Sequence, residues 1–453
     1  MRLRLASLLL LVATLAAQTA PPLAVAVPPP DPRFKTDILV IVAHPDDETP
    51  IGGYLARAIF DQHKRVAVLY GTQGGAGGNN NGEEQGAALA AEREIEVRSA
   101  LASWGVNNVW FLGGVDTPGQ DVLRSLETWH HGTALDAAVR LVRLTRPDVI
   151  LTWLPDVVIG ENHGDHQAAG VIACEAFDLA GDATAFPEQI TPPRNRRAVS
   201  NLTEGLHPWQ PQKLYFFSDA RHPEFLDGKG PSYPTTDISP SRHVTYAQLM
   251  ADEQAFHLTQ DDVGAPALQA LKSGDFHLNQ VPIRFGLGKS LVATSPTADI
   301  FANLAPQPLA FVPAPGYRPR VRSGLSLALG GPWNFYRHFW QAHGLNTLPG
   351  LLAPQISIAG GQALQIPLLI RNDTNAAQDV TLTADLPDQW QMRSGAALYH
   401  VPPHSTVPVE AAVLSPKQFA PELQDITWTA ATPGLPPVSV KLEVELRDGG
   451  LPQ

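Results

Sequence analysis

The chain has 453 residues, enough for two or three domains, and its 44% hydrophobic and 17% charged content is ordinary for a globular protein. A formal net charge of −12, with no basic stripe, argues against nucleic acid as a partner. The single cysteine, Cys174, excludes an intramolecular disulfide and reads as a small buried hydrophobe rather than a nucleophile.

In chain order, Arg2 and Arg4 precede an apolar run from Leu5 to Ala17, and Ala24-Val25-Ala26 follows. This pattern predicts a secretory signal over residues 1–26, too short in its apolar core for a membrane span. The expected location is secreted or periplasmic in a bacterium, with no membrane span after cleavage. Residues 27–36 form a Pro-rich linker. From 37 to 220, apolar runs at 38–43, 65–71, 108–112, 148–153 and 213–218 alternate with helical patterns at 49–62, 83–104, 132–145 and 166–180. That alternation predicts a Rossmann-like, doubly wound, mainly parallel α/β sheet. A dinucleotide is not expected, because the first strand leads into His-Pro-Asp-Asp and not into Gly-x-Gly-x-x-Gly. The glycine run Gly74–Gly78, with Gly75 inside it, lacks the following Lys-Ser/Thr of a nucleotide loop and reads as a loop on the substrate side.

Residues 221–350 read as an extension packed on the catalytic domain, with a helix over 245–258. Trp333, Phe335, Tyr336, Phe339 and Trp340 are expected to plug a contact between domains. From 351 to 453, the segments Gln362–Arg371, Gln378–Leu386, Thr406–Leu414 and Pro437–Leu446 alternate or run β-branched, punctuated by Pro and Gly. They predict an all-β, immunoglobulin-like sandwich. Its pattern resembles the accessory sandwich modules of bacterial carbohydrate-active enzymes. A spacer or packing role is the main expectation, and glycan or cell-wall binding the lesser one.

Two clusters carry the chemistry. Ala43-His44-Pro45-Asp46-Asp47-Glu48 follows the first apolar run, and His163-Gly164-Asp165-His166 follows the run at 148–153. Open α/β sheets collect active-site residues at the C-terminal ends of their strands. Alone, the first cluster reads as a helix cap, with Asp46 or Asp47 accepting backbone N–H groups. Two His/Asp clusters at two such ends read instead as a metal site. One His and one Asp from the first plus one His from the second make three ligands and leave a position open, as in catalytic zinc sites.

These paired signatures, with the strand and helix order between them, resemble the PIG-L/LmbE-type N-acetylglucosamine deacetylase family over residues 35 to 220. The resemblance implies His44, Asp47 and His166 as ligands of Zn2+ or another divalent ion. It leaves Asp46 as general base toward a metal-activated water and as proton donor to the departing amine. His163 is then the second electrophile at the oxyanion, with Asp165 orienting His163 and favouring its charged form. Glu48 either caps the following helix or contacts a ligand. Arg93 is a candidate for a substrate hydroxyl or phosphate, although pairing with Glu96, three residues on, is the preferred reading. Glu161 is a candidate for assisting proton delivery. His130, His131 and His257 show no ligand spacing and read as surface or loop groups.

The expected function is a secreted metal-dependent hydrolase that removes an N-acetyl or other N-acyl group from an amino sugar or glycoconjugate. The alternatives are an amidase acting on a non-sugar N-acyl or sugar–thiol conjugate, and a noncatalytic glycan-binding protein. A phosphoesterase would need more ligands and more flanking basic groups. Nothing in the sequence bears on oligomeric state.

Overall fold

Apolar runs without polar alternation need cover on both faces, and a parallel sheet between helices provides it. The computed structural model describes residues 30–160, 163–190, 206–260, 262–320, 322–420 and 422–448. The expected signal segment and Glu161 lie outside these residues. Five strands run parallel: β1 (Ile38–Val42), β2 (Val66–Tyr70), β3 (Val109–Phe111), β4 (Val149–Trp153) and β5 (Lys213–Phe217). Their order is β3-β2-β1-β4-β5, and every residue of β1, β2, β4 and β5 is buried. Between them lie α1 (Gly52–Ala56), α2 (Ala87–Ser103), α3 (Val122–Thr128), α4 (His131–Thr145) and α5 (Gly164–Leu179). The chain steps outward from β1 to β3, then returns across β1 to β4. The C-terminal ends of β1 and β4 therefore flank the topological switch point, where such folds open a crevice. The two sequence clusters follow these two strands.

The next stretch adds a small ribbon of β6 (Ser232–Tyr233) and β7 (Ile283–Arg284), and β8 (Gly286–Ser290) closes the sheet antiparallel to β5. Helices α6 (Tyr246–Gln254) and α7 (Gly264–Ser273) pack together, with α6 against α1. The helix expected over 245–258 stops at Gln254, and the chain then turns inward, which buries His257.

The sandwich begins earlier than residue 351. Strand β9 (Leu325–Leu329) precedes α8 (Gly331–Ala342) and pairs antiparallel with β11 (Ala363–Asn372). The remaining strands are β10 (Gln355–Ala359), β12 (Gln378–Asp385), β13 (Gln391–Ser394), β14 (Leu398–Val401), β15 (Ser405–Leu414), β16 (Leu423–Ala431) and β17 (Val438–Arg447). They form two sheets, β10-β17-β16-β12-β14 and β13-β15-β11-β9, around a core that includes Ile366, Leu368, Trp428 and Leu442. The assignment of β9 to the extension is thus corrected: Leu-Ser-Leu-Ala-Leu is too short to declare its partner, and its partner lies beyond an intervening helix.

The aromatic residues of α8 join the domains. Tyr336 and Phe339 are buried in the α/β core, and Trp333 packs against both cores. Strand β10 grips the loop that runs from β4 toward His163. Gln355 Oε1 accepts the Ile159 N–H at 3.1 Å, and Gln120 Oε1 accepts the Ser357 N–H at 3.1 Å. Among the described residues no helix is long and apolar enough to cross a membrane.

Candidate metal centre

After β1 the chain turns back on itself around the Asp47 carboxylate. Asp47 Oδ2 accepts the backbone N–H groups of Ala43 (2.7 Å) and His44 (2.9 Å) and the indole N–H of Trp153 (2.7 Å). Asp47 Oδ1 is left facing His166 Nε2 at 3.2 Å and His44 Nδ1 at 3.6 Å. Charge-assisted N–H···O bonds are shorter, about 2.7–2.9 Å. Separations of about 3.3–3.6 Å are the edges of a tetrahedron whose bonds to a central ion are about 2.0–2.2 Å. The donor set of two imidazoles and one carboxylate suits a divalent ion of the zinc kind.

The far side of each imidazole is also held. His44 Nε2 faces Asp165 Oδ2 at 3.3 Å and Asp116 Oδ1 at 3.9 Å, and His166 Nδ1 faces Asp219 Oδ2 at 3.7 Å. Carboxylates behind ligand imidazoles fix ring orientation and tautomer. The Trp153 ring stacks on His166 with centroids 4.3 Å apart and planes 5° from parallel. Trp153, the last residue of β4, thus fixes two of the three expected ligands. Burial opposes charge on His44, but hydrogen bonds to Asp165 and Asp47 outweigh it and hold the imidazole well above its ordinary pKa. Burial would likewise raise Asp47, yet His166 and His44 hold it well below the usual carboxylate range.

His163 lies beside the expected ligands, its ring 4.3 Å from that of His166 and 4.8 Å from that of His44. It occupies the N-cap of α5, where its Nδ1 accepts the Asp165 N–H at 3.3 Å. That bond assigns the ring proton to Nε2. The expected Asp165–His163 arrangement is corrected here. The Asp165 carboxylate faces Thr117, through its N–H at 2.7 Å and its hydroxyl, and His44. In the first turn of α5 the side chains of residues 163 and 165 diverge, so Asp165 reaches the loop after β3 instead. His163 is also not driven to its charged form: burial first, then His166 and His44, push its pKa well below the ordinary value. Asp165 sits at about 2, because bonds and charge from His44, His163 and Thr117 outweigh its burial. Gly164 is required for this packing, since a Cβ there would stand 2.7 Å from Ser125 Oγ and 2.8 Å from the Asp121 carbonyl of the adjoining α3 segment.

Asp46 stands at φ 107°, a backbone region that side chains disfavour by about 1–3 kcal/mol. Burial first, and the Asp47 charge second, push its carboxyl well above the usual range, and a neighbouring cation would pull it back. Glu48 does not cap the following turn with its side chain. It is fully buried, and its Oε2 accepts the Asp46 N–H at 3.2 Å and the Tyr70 hydroxyl at 2.6 Å. Its Oε1 lies 3.3 Å from His257 Nε2, which is also 3.2 Å from Glu253 Oε1. His257 does lie in a loop, between α6 and α7, but the surface half of the expectation is corrected: it has no exposed area. A Glu four residues before a His looks like an ordinary helix-face pair, and the distant Glu48 that makes it a buried cluster has no local signal.

The other expected substrate groups have structural tasks. Arg93 is buried and donates to the carbonyls of Gly74 (2.9 Å) and Gly78 (2.7 Å), shaping the glycine loop from within. Gly74, at φ 71°, has no room for a Cβ, which would meet Arg93 Nη1 at 2.9 Å. Arg93 does not pair directly with Glu96. Both meet at Thr259, whose Oγ1 accepts from Arg93 Nε at 3.3 Å and donates to Glu96 at 2.7 Å. The Gly75 carbonyl accepts the Gly86 N–H at 3.1 Å, closing the loop at its base. Asp116, Thr117, Trp153 and Asp219 escaped the sequence reading. Asp116 and Thr117 follow β3 and Asp219 follows β5, so position after a strand end was the available signal.

Fold and centre together define a Rossmann-like α/β protein with a His/Asp/His candidate metal centre at its switch point. Residues 39–177 match the family model described as PIG-L: GlcNAc-PI de-N-acetylase. A 1D-myo-inositol 2-acetamido-2-deoxy-α-D-glucopyranoside deacetylase of Rhodococcus erythropolis is 30% identical over 221 residues, 45% of this chain and 73% of the relative. The chain belongs to the PIG-L family. A deacetylase of the same name from Catenulispora acidiphila is 32% identical over 196 residues, 39% of this chain and 57% of that protein. The mycothiol S-conjugate amidase of Streptomyces coelicolor is 28% identical over 303 residues, 59% of this chain and 97% of the relative. For several of the curated deacetylases the match spans only just over half of their length, 54–57% in three of them.

Proposed function

We propose that this protein is a zinc-dependent hydrolase that removes the N-acetyl or another N-acyl group from an amino sugar or glycoconjugate. The observation that carries this reading is the convergence of His166 Nε2 and His44 Nδ1 on Asp47 Oδ1, at 3.2 and 3.6 Å, with Asp46 in the same turn. His44, Asp47 and His166 would hold the ion, which when bound acidifies water and polarises a carbonyl. Asp46 takes a proton from the attacking water and returns it to the amine nitrogen as the C–N bond breaks. His163, neutral with its proton on Nε2, donates a hydrogen bond to the oxyanion that forms on the carbonyl. Asp165 serves the site through His44 and Thr117. The relatives' names, a deacetylase of an acetamido sugar and an amidase of a thiol conjugate, support hydrolysis of an amide on a sugar-bearing substrate.

Cleavage of a sugar–thiol conjugate is the second reading, favoured by the amidase relative, which the match covers almost end to end. We also propose export from the cytoplasm, on the basis of Arg2, Arg4 and the apolar run that follows them. The test of the activity is acetate release from a panel of N-acetylglucosamine compounds and one acetylated sugar–thiol conjugate, using protein stripped of metal and reloaded with zinc. Zinc-dependent release that falls about 10²–10⁴-fold in Asp46→Asn is the expected result. Zinc-loaded protein that releases nothing from any compound would overturn the reading.

A further inference from the structure

We propose that the segment His257–Gln260, in the connection between α6 and α7, is the positioning element for Asp46. It holds the base-bearing turn and the glycine loop across the crevice as one unit. The proposal rests on the deacetylase reading of Asp46, and it adds residues that lie outside the span 39–177 matched by the family model.

Asp46 occupies a strained φ of 107°, and such a conformation persists only where its surroundings over-determine it. Two contacts meet that need. Gln260 Nε2 donates to the Pro45 carbonyl at 2.7 Å, and Glu48 Oε2 accepts the Asp46 N–H at 3.2 Å. Glu48 has no exposed area, so its carboxylate stays in place only if its oxygens are engaged. Tyr70 engages Oε2 by a hydrogen bond, and Oε1, which accepts none among the described residues, has the His257 imidazole as its ion-pair neighbour at 3.3 Å. His257 therefore reaches Asp46 through Glu48, while Gln260 reaches the residue before it directly.

Thr259 extends the brace to the other side. Its N–H donates to Glu96 at 3.0 Å, and its carbonyl accepts the Asn80 N–H at 3.1 Å. Its hydroxyl accepts from Arg93, the side chain that holds the carbonyls of Gly74 and Gly78. His257, Thr259 and Gln260 thus tie the turn that bears the base to the glycine loop. These contacts run to backbone, to buried acids and to Arg93, and His257 acts through Glu48 as a positioning residue.

The experiment compares wild type with a Glu253→Leu/His257→Leu double variant and with His257→Gln, which keeps a donor toward Glu48. Three quantities are read: hydrogen exchange of the peptide spanning 43–50, metal bound per chain, and kcat and KM for acetate release. In the double variant, exchange at the turn rises about tenfold or more and kcat falls about 30–300-fold, with KM within about threefold and bound metal unchanged. His257→Gln recovers most of both losses. Unchanged exchange with kcat near wild type overturns the proposal, as does loss of activity in step with metal or melting temperature that His257→Gln does not restore. Wild type holding a second equivalent of metal that the double variant lacks also overturns it, in favour of an ion held by Glu48, Glu253 and His257. If the double variant does not fold, Gln260→Leu takes its place, with the same split between kcat and KM at about five- to tenfold. Should wild type cleave no compound, the deacetylase reading fails, and hydrogen exchange at the turn still decides the brace.

Discussion

In the α/β domain, β1, β2, β4 and β5 are buried along their whole length, whereas β11, β12 and β15 of the sandwich bury roughly every second residue. A parallel sheet covered on both faces leaves little room for polar groups within its strands, where Thr152 and Lys213 are buried exceptions. Polar groups collect at the strand ends, and His44, Asp46, Asp47, Asp116, Asp165 and Asp219 gather at one edge. The sandwich distributes its polar residues along outward faces, and nothing focuses them. One half of the molecule concentrates charge and strain where its strands stop. The other half gives a surface and a brace, because Gln355 of β10 holds the Ile159 N–H and Trp340 of α8 donates to the Pro155 carbonyl, both in the chain after β4.

The sharpest break in this comparison is Asp47→Ala. It removes the oxygen on which both imidazoles converge, so bound metal falls from one equivalent to near zero and activity drops by more than about 10³-fold, while the sandwich still melts as in wild type. Metal analysis beside calorimetry checks this. Ile366→Ala probes the opposite half. Ile366 is fully buried in the sandwich, and the change destabilises that domain by about 2–5 kcal/mol in a denaturant titration. Below its melting temperature the variant keeps kcat, because no described sandwich residue belongs to the candidate centre.

Trp153→Phe is smaller and local. It keeps a ring against His166 but removes the 2.7 Å bond to Asp47, so zinc affinity weakens about 10–100-fold in a chelator competition. The remaining effect is on stability alone and concerns Asp156, which is buried after β4 and pushed up to about 8, chiefly by burial. Its unfolded value is about 3.9, so between about pH 4 and 8 the folded chain holds a proton that the unfolded chain gives up. Stability from this group is full below that window and is lost as pH rises through it. Asp156→Asn should raise the melting temperature most near pH 8 and hardly at all near pH 4.

The strands and the two His/Asp clusters were legible because burial on both faces and strand-end position leave local marks. The five predicted apolar runs coincide with β1 to β5, and the clusters come together in space. Partners set by tertiary geometry left no such mark. The Glu48–His257 contact joins a turn after β1 to a loop after α6. The divergence of His163 and Asp165 depends on which way the first turn of α5 faces, and spacing does not encode that. Arg93 and Glu96 have the spacing of a helical ion pair, but Thr259 arrives from elsewhere and separates them. Leu325–Leu329 carries the right alternation for a sandwich strand, yet its partner follows only after α8.

That strand has a consequence for how the protein can be divided. Because β9 lies before α8 and pairs with β11 after it, the two domains are interleaved in the chain and are not beads in series. A cut at residue 350 would strand β9 on the α/β piece and leave the flank of β11 bare, an exposed sheet edge of the kind that seeks foreign strands. A module with such an overlap is poorly suited to exchange by recombination at a single junction. Its dependence on the α/β domain is built into the threading of the chain.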